Sequence, residues 1–319
     1  MKICPPFLPA HRETRKTTNK MNVETRYYQL ADLQFKIEFR DTTLNSSNLL
    51  PSMEPFAISA PTEKLLFEMI VDDTLPVIAK SRRDRIRDFE TGNGNTIIDR
   101  IDGDNGYQFI VSDLRKNQCC MFQSNKDFSR CDLALNGNYD MRKFGITNAL
   151  MMTFAYASSY YNTVMIHASL VRHKGYGYAF CAPSGTGKST QVSNWLRYIP
   201  DCDLMNDDNP VIRVIDGKAY IYGSPWSGKT PCYRNVKAPL GGLTRIDQAK
   251  QNEVEKLGPI EAFTSTIPSC TTMRWDHEIF NNVCSTVTKL VETTGIYILH
   301  CLPDRDSAIV CHDRIAVVK

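Results

Sequence analysis

The chain has 319 residues, of which 42% are hydrophobic and 23% are charged, a composition typical of a globular protein with one large domain or two ordinary ones. The net charge is +3 and the basic and acidic residues are interspersed, which argues against nucleic-acid binding because that function requires a clustered basic surface. The eleven cysteines follow no repeated spacing and form no C-x-x-C pair, so we expect free thiols and a cytoplasmic location rather than a disulfide framework.

The beginning of the sequence does not resemble a targeting signal. The opening MKICPPFLPAH lacks the apolar core and the small-residue cleavage site of a signal peptide. Residues 1–20 are polar and irregular, so we predict that they are disordered, and Met21 is an alternative start to Met1. The longest uncharged run, 145–166, contains many Ser, Thr, Asn and Tyr residues, and we predict a buried helix and strand there rather than a membrane span.

Residues 21–140 show the pattern of β-structure. Short apolar runs alternate there with turn sequences such as TGNGN and DGDNG. The clearest run is ADLQFKIEFRD, in which every second residue from Leu33 to Phe39 is apolar, as in a strand with one buried face. We therefore predict a mostly antiparallel, β-rich N-terminal region over 21–140.

Helices and strands alternate from residue 141 onwards. ITNALMMTFAYASSYY has the apolar spacing of a helix, and two strands follow that turn at Lys174-Gly175. Asp216-Gly217 indicates a further hairpin. One later helix is predicted to bury Val192, Trp195 and Leu196, and another is predicted to span 279–290. The runs IYILHCL and SAIVCH are predicted to be strands at the end of the fold. This succession predicts an α/β domain with a mixed sheet over 141–319.

Two stretches contain a Gly-Lys-Ser/Thr core, and only the second spells the complete G-x-x-x-x-G-K-[ST] phosphate-loop motif, from Gly223 to Thr230. The first has Ala182 in place of the initial glycine. A phosphate loop also needs a strand before it and a helix directly after it, because backbone N–H groups and a helix N-terminus must converge on the phosphate. Residues 182–189 have this context, whereas Pro231 follows the second stretch. We therefore predict that 182–189 bind the nucleotide; the alternative is a chance turn.

The first loop and the acidic pair after it carry the groups that phosphoryl transfer uses. Lys188 would contact the β- and γ-phosphates, and the Ser189 hydroxyl would bind Mg²⁺. The predicted phosphate-binding residues are Pro183, Ser184, Gly185, Thr186, Gly187, Lys188, Ser189 and Thr190. Of the neighbours Asp207 and Asp208, one could bind Mg²⁺ and the other could accept the proton of an attacking hydroxyl. The alternative for this pair is a turn cap.

The residues IHASLVRHKGYGYAFCAPSGTGKST, followed by LMNDDNPVIR, resemble the HPr kinase/phosphorylase family and its PEP-carboxykinase-like relatives. The continuation GSPWSGKTPCYRNV is similar to the HPr-kinase-like proteins of Bacteroides-type bacteria. The resemblance covers about residues 145–245. It implies a PEP-carboxykinase/HPr-kinase-like P-loop domain with a mixed sheet, preceded by the β-rich region.

The resemblance also implies roles for individual residues. Asp207 would be the base that activates the acceptor hydroxyl, Asp208 would bind the metal or act as a second acidic partner, and His167 would lie near the γ-phosphate. The second Gly-Lys loop would close over the transferred phosphate or the acceptor through Trp226, Lys229 and Arg234. The alternative for His167 is an ordinary strand histidine, and the alternative for the second loop is a packed surface loop.

Together these features predict a cytoplasmic ATP- and Mg²⁺-dependent kinase that phosphorylates a hydroxyl, most simply a serine of a small protein or peptide. No Leu-Glu-Ile-Arg-Gly-like signature is present, so the resemblance does not extend to phosphorylase activity or to HPr as acceptor. The chain is too short for a PEP carboxykinase. Alternative functions are a nucleotide-binding regulatory or scaffold protein and a small-molecule kinase. Members of the family are often hexamers, so a homo-oligomer is a further option.

Overall fold

The structure is a computed structural model that describes residues 22–317. The predicted disorder of residues 1–20 lies outside the described part of the chain. Internal contacts divide the protein into two compact units, one that includes Leu33–Ala157 and one that includes Leu30–Asp32 and the chain from Ser158. The boundary expected from the sequence, between residues 140 and 141, lies at the start of a long helix, whereas this division lies at the end of that helix.

Together with short 3-10 helices, the described part of the first unit contains nine strands and one long α-helix. They are β1 (Val23–Leu30), β2 (Leu33–Arg40), β3 (Ala57–Ile58), β4 (Glu68–Val71), β5 (Arg83–Thr91), β6 (Gly94–Ile101), β7 (Tyr107–Asp113), β8 (Gln118–Ser124), β9 (Arg130–Leu135) and α1 (Tyr139–Ser158). The strands form one sheet in the order β3-β1-β2-β4-β9-β8-β7-β6-β5. Strands β5 to β9 form an antiparallel meander, and β4 runs parallel to β2 and β9.

The period-two pattern that identified this β region corresponds to its buried face. Phe35, Ile37 and Phe39 on β2 are fully buried, and Phe35 stacks against Phe67 with ring centroids 4.6 Å apart. Further along the sheet, Phe109 on β7 stacks on Phe122 on β8 and continues the core. The predicted β-rich N-terminal region is therefore confirmed, and the parallel pairs of β4 with β2 and β9 make its sheet mixed.

The second unit alternates strands with helices. Its elements are β10 (Thr163–Met165), β11 (Ala168–His173), β12 (Tyr176–Cys181), α2 (Lys188–Tyr198), β13 (Cys202–Asp208), β14 (Val211–Ile215), β15 (Lys218–Tyr222), β16 (Lys237–Gln248), β17 (Glu253–Lys256), α3 (Pro259–Thr266), α4 (His277–Thr293), β18 (Ile296–Cys301) and α5 (Arg305–Ile315). The strand order is β10-β14-β15-β16-β12-β11-β13, and β18 lies between β16 and β17. The predicted α/β class with a mixed sheet is therefore confirmed for this unit.

Strand register brings several strand ends to one edge of this sheet. β16 pairs in parallel with β12 and in parallel with β18. β11 is antiparallel to β12 and to β13, so β13 runs in the same direction as β12. Ala168, at the start of β11, pairs with Cys181 on one side and with Asp208 on the other. The carboxyl ends of these parallel strands therefore meet at one edge, which is the usual place for a ligand site in α/β sheets.

Helices cover both faces of the second sheet. Adjacent strand residues point to opposite faces, and Leu170 belongs to an apolar core with α3 and α4 whereas Val171 belongs to a core with α2 and α5. In the second core Trp195 is fully buried and packs on Phe180. The two cores fix the sheet in position and thereby fix the strand ends at the edge described above.

Two predictions about this unit are wrong. Leu196 was expected in the core beside Trp195, but it is 38% exposed, because the buried stripe of α2 passes through Gln191, Val192 and Trp195. SAIVCH was expected to be a strand, but it lies in α5. Asp304 caps this helix by accepting a hydrogen bond from the Ser307 N–H at 2.9 Å, and such a cap favours a helix over a strand.

None of the helices within residues 22–317 is both long enough and apolar enough to cross a bilayer.

Candidate active site

The loop after β12 leads directly into α2. The Thr186 N–H donates to the Pro183 carbonyl at 3.2 Å and closes a turn. Gly185 and Gly187 have φ angles of +81° and +125°, values that glycine adopts much more readily than other residues. α2 begins at Lys188, and no side chain caps its N-terminus. Its first N–H groups have no partner within the helix, so they form a site that favours an anion.

A cavity of about 250 Å³ opens above this helix terminus. Its lining comes from the loop, from the strand ends of β11 and β13, and from the second Gly-Lys loop. The lining residues are His167, Ser169, Ser184, Gly185, Gly187, Lys188, Ser189, Thr190, Asp207, Asp208, Gly228 and Lys229. The structure thus brings together His167, both aspartates and most of the predicted loop. Pro183 and Thr186 form the turn at the base of the loop.

A chain of polar contacts crosses the cavity from the helix to β13. The Lys188 ammonium lies 2.9 Å from His167 Nε2 and donates to the Ala182 carbonyl at 2.8 Å. His167 Nδ1 lies 3.0 Å from Asp208 Oδ1. An ammonium can only donate, so His167 Nε2 must accept and its proton resides on Nδ1, which donates to Asp208. His167 therefore orients both the cation and one carboxylate.

The surroundings of Lys188 favour loss of the proton from its ammonium group. Its pKa is lowered from the ordinary value of 10.5, mainly because burial disfavours the charged form, while Asp208, Cys181 and Asp207 act in the opposite direction. A partly desolvated ammonium interacts more strongly with an anion than one in bulk water. Lys188 is therefore suited to bind a phosphate at the open end of the cavity.

Asp207 is held by donors on both of its oxygens. It is buried, its Oδ1 accepts the Ser169 hydroxyl at 2.8 Å, and its Oδ2 accepts the Thr230 N–H at 3.3 Å. Ser169 lies opposite Asp207 in the register of β11 and β13, so the sheet itself positions this contact. Each carboxylate oxygen can accept more than one hydrogen bond. Asp207 therefore keeps capacity to accept the proton of an incoming hydroxyl.

Asp208 differs from its neighbour in both exposure and backbone geometry. Its side chain is 32% exposed, and its Oδ2 accepts from the Asn209 amide at 2.6 Å. Its φ is +145°, a value rare for a residue with a side chain, and backbone strain of this kind is concentrated at functional sites. An isolated β-bridge to Ser227 holds this conformation. The twist lets two sequential aspartates reach the same cavity, although strand neighbours ordinarily point to opposite faces.

The second Gly-Lys loop is attached to the end of β13 and is not followed by a helix. The Gly228 N–H and the Ser227 hydroxyl both donate to the Asp207 carbonyl. The buried Asn206 amide donates to the carbonyls of Ser224 and Trp226, each at 3.3 Å. The loop with the complete motif therefore holds the end of β13 that carries Asp207. The same hydrogen bonds bring Gly228 and Lys229 of this loop to the cavity.

The three residues proposed for this loop occupy different surroundings. Lys229 is exposed and lines the cavity. Trp226 is 5% exposed and lies in the protein interior. Arg234 pairs with Asp203 and donates to the Leu204 carbonyl, near the opposite end of β13 from Asp207. Of the three, Lys229 is the residue that the structure places beside the predicted phosphate loop.

The donor set fits a nucleotide with Mg²⁺. Mg²⁺ is typically held by one or two carboxylates together with substrate phosphates and water, and Ser189 and Asp208 both line this cavity. Within residues 22–317, no cluster of three or more His, Cys, Asp and Glu side chains is placed to hold a metal by protein ligands alone. Ser189, Asp208 and phosphate oxygens would together supply the oxygen ligands that Mg²⁺ prefers.

Sequence reasoning missed three residues of the site: Ser169, Gly228 and Thr230. Ser169 lies two residues after His167, so the alternation of a strand places both on the same face, and this signal could have identified it. The other two contact the Asp207 segment across more than twenty positions of sequence. Nothing in their local sequence indicates that contact.

No protein-family model matches the sequence, and no curated protein matches it. The resemblance to HPr kinases therefore remains a prediction.

Proposed function

We propose that the protein is an ATP- and Mg²⁺-dependent phosphotransferase that transfers the γ-phosphoryl group to a hydroxyl, the acceptor being a serine of a small protein or peptide. The observation that carries this proposal is the convergence of three features on one cavity. These are an uncapped helix N-terminus with Lys188, the Ser189 hydroxyl, and two neighbouring carboxylates of different exposure, Asp207 and Asp208.

Each group has a distinct part in this proposal. ATP supplies an electrophilic γ-phosphoryl group. Lys188 and the first N–H groups of α2 bind the phosphates and offset their charge. Ser189 and Asp208 hold the metal. His167 positions the side chains of Lys188 and Asp208, because each of its two ring nitrogens contacts one of them.

Asp207 would act as the base. Its Oδ1 already accepts a hydrogen bond from the Ser169 hydroxyl. Because Asp207 also lines the cavity, a second hydroxyl bound there could contact the same carboxylate. An acceptor hydroxyl between Asp207 and the phosphates would donate its proton to this carboxylate as its oxygen bonds to the γ-phosphorus. The bond between that phosphorus and the β–γ bridging oxygen would break, and ADP would leave. Catalysis would rest on positioning and on charge stabilisation, as is general for phosphoryl transfer.

The cellular setting that we propose is the cytoplasm. All cysteines within residues 22–317 are free thiols, as expected in a reducing compartment. A protein or peptide acceptor is favoured because Lys229 and the second Gly-Lys loop form an exposed rim at the cavity, where a chain could be contacted beyond its reacting side chain. Homo-oligomerisation remains a prediction of the resemblance.

The test is transfer from γ-labelled ATP with Mg²⁺ to a lysate of the host organism. We expect label on one small protein or peptide with the native protein, loss of ATP binding in Lys188→Ala, and retained ATP binding without transfer in Asp207→Asn. Normal transfer by Asp207→Asn would exclude the assigned base. Tight ATP binding with no transfer to any protein, peptide or metabolite would favour the regulatory alternative, and label on a metabolite would favour a small-molecule kinase.

A further inference from the structure

A second pocket lies beside the phosphate loop, next to the Lys188 cavity. Its volume is about 270 Å³. The two cavities share Gly187 and Thr190 in their linings, so they are adjacent along the loop. The second pocket lies at the carboxyl ends of β16 and β18; β16 pairs in parallel with β12, and β18 pairs in parallel with β16. It therefore belongs to the same ligand-binding edge.

The two pockets differ in chemistry. The first is lined by a lysine at the loop and by two aspartates. The second has a largely apolar wall, formed by Ile246, Ala249, Cys301, Leu302 and Pro303. Leu302 is 39% exposed at this wall, which leaves apolar surface open to a ligand. Thr186 and Gln248 add polar groups. An apolar cleft with a few polar groups at its edge suits a flat heterocycle, which buries its faces and hydrogen-bonds through its rim.

The wall of this pocket is held in place by hydrogen bonds of the protein itself. The Asn252 side chain accepts the Leu302 N–H at 2.8 Å and donates to Asp304 Oδ1 at 3.0 Å. The Asn194 amide on α2 donates to the Asp304 carbonyl at 2.7 Å. Gln248 donates to the Thr186 carbonyl at 3.2 Å and so ties the pocket to the phosphate loop. A pocket fixed in this way loses little conformational freedom on binding.

We infer that this second pocket receives the base of the nucleotide whose phosphates bind at Lys188, so that the phosphoryl donor is a nucleoside triphosphate and not an inorganic polyphosphate. The inference rests on the proposed function, because it assigns the phosphates to the first cavity. The base lies against Leu302 and Ala249, and the sugar crosses the loop at Gly187. The alternative donor, inorganic tripolyphosphate, would leave the second pocket without a role.

The test compares the binding of ATP and of inorganic tripolyphosphate, each with Mg²⁺, by titration calorimetry. Contact with the apolar wall is expected to make ATP bind at least about tenfold more tightly than tripolyphosphate. Leu302→Asn removes apolar contact at an exposed site, and Ala249→Phe fills the pocket. Both should reduce the preference for ATP towards unity and leave tripolyphosphate binding unchanged. Leu196→Asn is the matched control, since Leu196 is exposed to nearly the same degree, 38%, on α2 outside the pocket.

The possible failures are distinguishable. If the native protein binds both ligands equally, or if Leu302→Asn keeps the full preference for ATP, the base does not occupy this pocket and the inference is overturned while the phosphate site stands. If the native protein binds neither ligand, the proposed function itself fails. Leu302→Asn decides the matter if the larger change at Ala249 prevents folding, because Leu302 is exposed and its substitution should leave the thermal transition of the protein in place.

Discussion

Removal of the Ser169 hydroxyl should slow phosphoryl transfer without weakening nucleotide binding. Ser169 is 1% exposed and donates to Asp207 Oδ1 at 2.8 Å. A hydrogen bond to a charged group is worth roughly 1.5–3 kcal/mol. If Ser169→Ala loses this contribution in positioning the base, the rate falls by about 10- to 150-fold, since each ~1.4 kcal/mol is a factor of ten. The phosphate loop is untouched, so the affinity for ATP should change little.

The assay is single-turnover transfer from labelled ATP, with ATP affinity measured in parallel. Ser169→Thr keeps a hydroxyl and should restore much of the rate. Thr266→Val is the control for the loss of a buried hydroxyl, because Thr266 is 2% exposed and donates to the Ala262 carbonyl within α3. That variant should lower thermal stability but not the rate of the folded protein. Transfer by Ser169→Ala at the native rate, or an equal loss in both hydroxyl variants, would refute the positioning role.

Two predictions concern the stability of the second unit. Trp195→Ala should lower the free energy of unfolding by about 3–5 kcal/mol, because it empties a fully buried site. The neighbouring Leu196→Ala should change this free energy by less than about 0.5 kcal/mol. Equal effects of the two variants in chemical denaturation would contradict the observed buried face of α2. The pKa of His173 is lowered from 6.5, mainly by burial and then by His312, so below pH 6.5 the unfolded state takes up the proton first. The free energy of unfolding should therefore fall as the pH drops below 6.5, and His173→Gln should flatten this dependence in thermal melts; an unchanged slope in that variant would exclude His173 as its source.

The placement of the candidate site shows how two similar motifs can have different structural roles. The sequence 182–189 follows a buried strand and precedes a helix, and both elements are present in the structure as β12 and α2. The loop Gly223–Thr230, which matches the complete motif, is instead attached to Asn206 and Asp207 by hydrogen bonds. Local context therefore discriminated between the two motifs, but it did not reveal the role of the second.

Sequence alone determined the features that depend on neighbours along the chain. The alternation from Leu33 to Phe39 identified a buried strand face, and the turns at Lys174-Gly175 and Asp216-Gly217 were correctly placed between paired strands. The helical spacing over 279–290 likewise corresponds to α4 and its buried face. These features are set by backbone preferences and by burial of one face, both of which are written in a short window of residues.

Only the tertiary structure decided which strand ends share an edge and therefore which side chains meet. The contact of Ser169 with Asp207 depends on the register of β11 against β13, and the φ of Asp208 depends on its bridge to Ser227. A short turn can fix the register of two strands, but β12 and α2 lie between β11 and β13 in the chain, so no turn sequence specifies how these two strands pair. The same reason explains the second pocket, whose walls come from strands β16 and β18, about fifty residues apart in the sequence.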